Sequence, residues 1–111
     1  MGDCKHISGK IKLLNQLILR DKGIKFWAKE AREIQNECGL FLKEHGAQSD
    51  IGIKITQIRN GANNIISYTG ESGGYAFDPV NIEKIQQIIM AMFVLINEVA
   101  RILKQEVDEI L

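Results

Sequence analysis

Apolar residues recur every three or four positions near the start of the chain: Ile11, Leu14, Leu17 and Ile18, then Ile24, Trp27, Ala31, Ile34, Cys38, Phe41 and, in the same phase, His45. That spacing draws one apolar stripe along an α-helix. Asp21-Lys22-Gly23 interrupts the run as a helix stop, so the pattern predicts two helices, roughly 8–21 and 24–45. Leu17, Ile24, Ala31, Cys38 and His45 also fall on one heptad grid across that stop, which keeps a single bent helix over 8–45 as the alternative. Gly46 and the polar Gln48-Ser49-Asp50 end the helical segment.

The period then changes to two. Ile51, Ile53 and Ile55 alternate with Gly52, Lys54 and Thr56, a strand pattern on a β-branched background. Arg59-Asn60-Gly61-Ala62-Asn63-Asn64 reads as a turn, because Asn and Gly tolerate positive φ. Ile65-Ile66-Ser67-Tyr68-Thr69 is then the returning strand, Gly70-Glu71-Ser72-Gly73-Gly74 a second turn and Tyr75-Ala76-Phe77 a short third strand. Together they predict a small antiparallel β-meander over 51–77. Asp78-Pro79 is a helix start, Asp as N-cap and Pro in the first turn. Beyond it Ile82, Ile85, Ile89, Met92, Ile96, Val99, Leu103 and Ile110 keep a 3-4 repeat, with Ile88, Leu95 and Ile102 as a second row. The expected fold class is α+β: a single domain over 1–111, with an 8–45 helical segment, the meander and a long helix over 79–111.

The length of that last helix bears on assembly. Thirty-three residues would make a rod of about 50 Å, whereas a compact domain of this size is about 34 Å across. From Ile88 to Ile96 the chain is apolar without interruption, more than a monomer's surface helix tolerates. The expectation is a homo-oligomer, most simply a dimer, with Ile85, Ile89, Met92, Phe93, Ile96, Val99 and Leu103 in the buried seam.

Composition narrows the function classes. The chain has 111 residues, with fourteen basic side chains against fourteen acidic ones and no net charge. A dedicated polyanion binder would be basic, and a mimic of DNA acidic. Residues 1–48 carry nine Lys/Arg and six Asp/Glu, and residues 79–111 three and five, so unlike segments are complementary. No signal-peptide pattern opens the chain, and the nine-residue run Ile88–Ile96 is about half a bilayer span. Two cysteines without CxxC spacing fit a reducing compartment. The expected location is cytoplasmic, without a membrane.

Catalytic chemistry finds no foothold. Ser8, Ser49, Ser67 and Ser72 lack a nucleophile-elbow context. Glu30, Glu33 and Glu37 are interleaved with Lys29 and Arg32, as in solvated helical ion pairs, and no ExxH accompanies them. Cys38 and His45 stand two helical turns apart, about 10 Å, too far to chelate one ion. No enzyme, metal or cofactor is expected. Two binding alternatives remain. The glycine-rich turn Gly70, Ser72, Gly73 and Gly74 precedes a helix start, and with Arg59 and Asn60 it could hold a phosphorylated small molecule between subunits. Asp78 and Pro79 oppose an anion there, which favours a plain tight turn. Lys22, Lys25, Phe26, Lys29 and Arg32 form a basic and aromatic patch suited to a nucleic-acid backbone, while Trp27 lies on the core grid.

The order of helix, strands with an Asn-Gly turn, Asp78-Pro79 cap and long helix resembles that of small dimeric nucleoid-associated proteins of bacteria, without a diagnostic motif. In style the short, motif-poor chain also resembles mobile-element and phage proteins that block a host factor or trap a nucleotide signal. The function expected is therefore a non-catalytic, homo-oligomeric regulatory or inhibitory module whose partners are itself and another protein. A nucleotide-sequestering protein and a nucleic-acid-binding dimer are the alternatives.

Overall fold

In the computed structural model, residues 4–20, 24–69, 80–105 and 107 are described. They form four helices, α1 (Cys4–Leu19), α2 (Ile24–His45), α3 (Asp50–Tyr68) and α4 (Val80–Leu103), and contain no strand. The α+β expectation is therefore corrected: this is an all-helical fold, and the residues read as two strands and an Asn-Gly turn are the single helix α3. The nucleoid-protein resemblance loses the strands on which it rested. The expected second turn, third strand and Asp78-Pro79 helix start lie outside the described residues.

Local chemistry accounts for α3. Gly46, at φ +80°, closes α2 in the left-handed conformation, its amide donating to the Leu42 carbonyl at 2.8 Å. Ser49 follows as N-cap, its hydroxyl accepting from the Gly52 amide at 3.0 Å, with Asp50 in the positive first turn. The residues of α3 that turn inward are Gly52, Ile55, Ile58, Ala62, Ile65 and Ile66, a helical 3-4 spacing. Ile53, which completed the apparent alternation, is half exposed. Gly61 does not make a turn. A Cβ there would lie 3.0 Å from Met92 Cγ, so its missing side chain lets α3 and α4 approach closely.

Four sets of contacts fix the topology. Lys10 bonds Glu33 at 3.3 Å and His6 lies 3.9 Å from Glu37, so numbers rise along α1 as they fall along α2. Gln35 donates to Asn63 between α2 and α3. Lys54 donates to Glu98 at 2.7 Å, and the Lys84 ammonium stands over the Tyr68 ring, between α3 and α4. The Cys4 amide donates to Gln105 Oε1 just past the end of α4. Each helix is thus antiparallel to the next, and α4 closes the ring against α1: an up-down-up-down bundle.

The core runs down the centre of this ring. Its largest fully buried side chains come from every helix, among them Ile7 and Leu14, Trp27 and Phe41, Ile55 and Ile65, Ile89 and Met92. The body measures 39 × 29 × 20 Å. At 24 residues, α4 is about 36 Å long, so it fits within its own bundle and does not overhang it. Its end is built by backbone geometry: Lys104 takes φ +56°, and the Gln105 amide donates to the Ala100 carbonyl at 2.9 Å, the closing bond of a Schellman motif.

Candidate interaction surface

Two stripes divide α4. The inner one carries Ile85, Ile89, Met92, Ile96 and Val99, all buried inside this chain by its own helices, with Phe93 and Leu103 partly buried against the same core. The seven residues expected to face a second subunit thus already have intrachain neighbours. Once 50–68 is helical, α3 provides the cover that a small meander could not.

The outer stripe is different. Met90 and Val94 are 51% and 55% exposed, with Ala91 exposed between them and Gln87 one turn before. Between Lys84 and Glu98 the helix has no ionisable side chain on any face. A solvent-facing helix surface normally carries charge, and this one is apolar over its central two turns. Ile82–Leu103 is long and apolar enough to cross a bilayer by length and composition alone, although only a nine-residue apolar run is unbroken. In the bundle this segment is instead a helix with one face in the core.

Toward its C-terminal end α4 borders a shallow groove against α3. Asp50, Ile53, Lys54, Gln57 and Ile102 line it, and it holds about 260 Å³. Ile53 and Ile102 give it two half-exposed apolar walls. Its cation is already engaged, because Lys54 bonds Glu98 and holds that carboxyl below the ordinary range.

The ionisable groups of α1 and α2 form a paired seam. Burial raises the Glu30 carboxyl, and Glu33 adds to this by hydrogen bond and charge. Glu33 moves the other way, lowered first by the Glu30 hydrogen bond and then by Lys10. Of the two carboxyls, Glu30 is thus the one that takes up a proton first as pH falls. Within the expected basic and aromatic patch, Phe26, Lys29 and Arg32 are exposed, Lys22 is outside the described residues and Lys25 has no described side chain. Lys29 lies in the field of Glu30 and Glu33, so the cations here stand beside compensating acids.

Arg59 and Asn60 sit in the middle of α3 and are exposed. Arg59 is ten residues, about 15 Å along the axis, from Thr69 at the helix end, and Gly70, Ser72, Gly73 and Gly74 are outside the described residues. The Arg59 charge reaches Cys38, whose thiol burial nevertheless pushes up to about 12. His45 stacks on Phe41 with ring centres 4.7 Å apart. Among the described residues no three His, Cys, Asp or Glu side chains gather as metal ligands.

Met90, Val94, Ile53 and Ile102 were not singled out as surface residues by sequence reasoning. For Met90 and Val94 the signal is the apolar excess of 88–96, which does not tell which stripe the chain itself covers; Ile53 and Ile102 lie outside that run. No family model, curated protein or solved structure matches this chain.

Proposed function

We propose that this chain is a non-catalytic protein-interaction module of the regulatory or inhibitory kind, acting in the cytoplasm and meeting its partner through the outer face of α4. One observation carries the reading: a fully formed bundle leaves Met90, Ala91 and Val94 on the outside of a helix with no charge between Lys84 and Glu98. Burying such a face contributes roughly 25 cal/mol per Å², so the exposed state is the costly one. The groove beside Ile53 and Ile102 favours a phosphorylated ligand less, because Lys54 is neutralised by Glu98. A nucleic-acid backbone is likewise disfavoured where Lys29 stands beside Glu30 and Glu33.

Photo-crosslinking in cells tests this. A benzophenone side chain at Val94 is expected to give a discrete protein adduct, and one at the exposed Asn36 of α2 is not. Equal or absent adducts at both positions would remove the proposal.

A further inference from the structure

The outermost line of α4 reads Glu83, Gln87, Met90, Val94, Asn97 and Arg101, with spacings of four, three, four, three and four. Five of the six are exposed and Asn97 is half-buried, its amide donating to the Phe93 carbonyl at 2.8 Å. This is the narrow 3.5-residue seam of a coiled coil, about 27 Å long. Its sequence is also self-complementary about residue 92. Acid and base stand nine positions to either side, amides five positions to either side, and apolar side chains two positions to either side.

We infer that the partner on this face is a second copy of the chain, docked antiparallel about a two-fold axis at Met92, with Met90 against Val94 of the second copy and Glu83 against its Arg101. The inference rests on the reading that the outer face of α4 is the contact surface, and it names the occupant and the register. A two-fold contact must be isologous: whatever position i meets, the reverse contact occurs too. Antiparallel docking satisfies this with two Glu–Arg pairs, two Gln–Asn pairs and two Met–Val pairs. Parallel docking would set Glu83 against Glu83 and Arg101 against Arg101. The flank repeats the logic, since Lys84 and Glu98 lie seven residues either side of Ala91, whose small side chain permits close approach. Glu98 is already held by Lys54, so the orientation is set chiefly by Glu83 and Arg101. Exposed pairs of this kind add little affinity and act by selecting register. Met90 and Val94 supply the attraction.

The test is oligomeric state with charge reversal, read by light scattering and sedimentation on the full chain at tens of micromolar. Wild type is expected at twice 12.5 kDa. Met90→Lys is expected to weaken association at least tenfold. Glu83→Arg and Arg101→Glu are each expected to weaken it, because each sets like charges together twice. Mixing the two single variants creates two Arg–Glu pairs and should yield a heterodimer, and the double variant should recover the homodimer. All these positions are exposed, so helicity should stay near wild type, with melting temperature falling only by the lost contribution of association. A monomeric wild type overturns the inference, as does a dimer indifferent to Met90→Lys or single reversals that neither mixing nor combination rescues. Sedimentation of a monomeric wild type with phosphatidylcholine vesicles also overturns it, because lipid then occupies the face. If the wild type is monomeric while Val94 still crosslinks to a different protein, this inference fails and the broader reading stands. If no adduct forms, both fall.

Discussion

Replacing three of the helical glycines, Gly39, Gly52 and Gly61, with alanine separates the helical fold from a hairpin at 51–69. The local gain is common to all: alanine is better than glycine in a helix interior by about 0.8–1.0 kcal/mol, partly through the unfolded chain. The surroundings differ. At Gly39 in α2 an added Cβ meets nothing within 4 Å, so the full gain of about 1 kcal/mol is expected, or roughly 5 °C in Tm for a domain of this size. At Gly61 the Cβ would lie 3.0 and 3.1 Å from Met92 Cγ and Sδ and 3.2 Å from Ile88 Cγ2. Methionine can shift by the few tenths of an ångström required, and the net effect is expected within about 0.5 kcal/mol of zero. At Gly52 the Cβ would fall 1.9 Å from the Gly46 carbonyl oxygen and 2.8 Å from Ala47 Cα. These are backbone atoms of the α2–α3 connection, which no rotamer change can move. Overpacking of this kind costs up to about 3 kcal/mol, sometimes more, and leaves a net loss of about 2 kcal/mol or more.

Urea unfolding followed by circular dichroism gives the three midpoints, with the slope as a check on two-state behaviour. The expected order of stability is Gly39→Ala, then Gly61→Ala, then Gly52→Ala. A hairpin would reverse the order of two sites: Gly52→Ala would strengthen a strand, and Gly61→Ala would lose the positive φ of an Asn-Gly turn. A Gly52→Ala protein as stable as wild type, beside a Gly61→Ala protein more than 1 kcal/mol weaker, would refute α3.

Three further outcomes follow from the same geometry. Lys104 holds φ +56° at the end of α4, so Lys104→Gly should gain about 1 kcal/mol by removing a left-handed non-glycine residue; an unchanged urea midpoint would exclude that strain. The Glu30 carboxyl is raised above its ordinary 4.5 by burial and then by Glu33, so the folded chain keeps a proton that the unfolded chain releases. That contribution is whole below 4.5 and lost as pH rises through the folded value. Glu30→Gln removes that titration and should flatten stability against pH in this window; a profile parallel to wild type would contradict the raised Glu30 carboxyl. Cys4 and Cys38 are fully buried, the latter with its thiol pushed up to about 12, so neither should react with a thiol reagent until urea opens the bundle. A fast native reaction at either cysteine would contradict its burial.

Legibility in the sequence depended on what fills the inward positions. In α2 they are Trp27, Ala31, Ile34, Cys38 and Phe41, large enough for the 3-4 period to stand out, and the residues 24–45 read as helical form that helix. In α3 the inward set includes Gly52 and Ala62, with Gly61 against α4, so the period fades where the helices pack most closely. The exposed Ile53 then supplies a false alternation. Ser49-Asp50 is a legible N-cap signal, but the same polar residues equally mark the end of α2. The identity of 51–69 also decides where the surface lies. Were 51–69 strands, nothing in the chain could cover Ile85, Ile89, Met92, Ile96 and Val99, and their burial would need another subunit. Restoring α3 satisfies those residues within the chain and leaves the excess on Met90 and Val94. The apolar surplus of α4 was therefore readable from the sequence, whereas the direction in which it points required knowing every neighbour of α4.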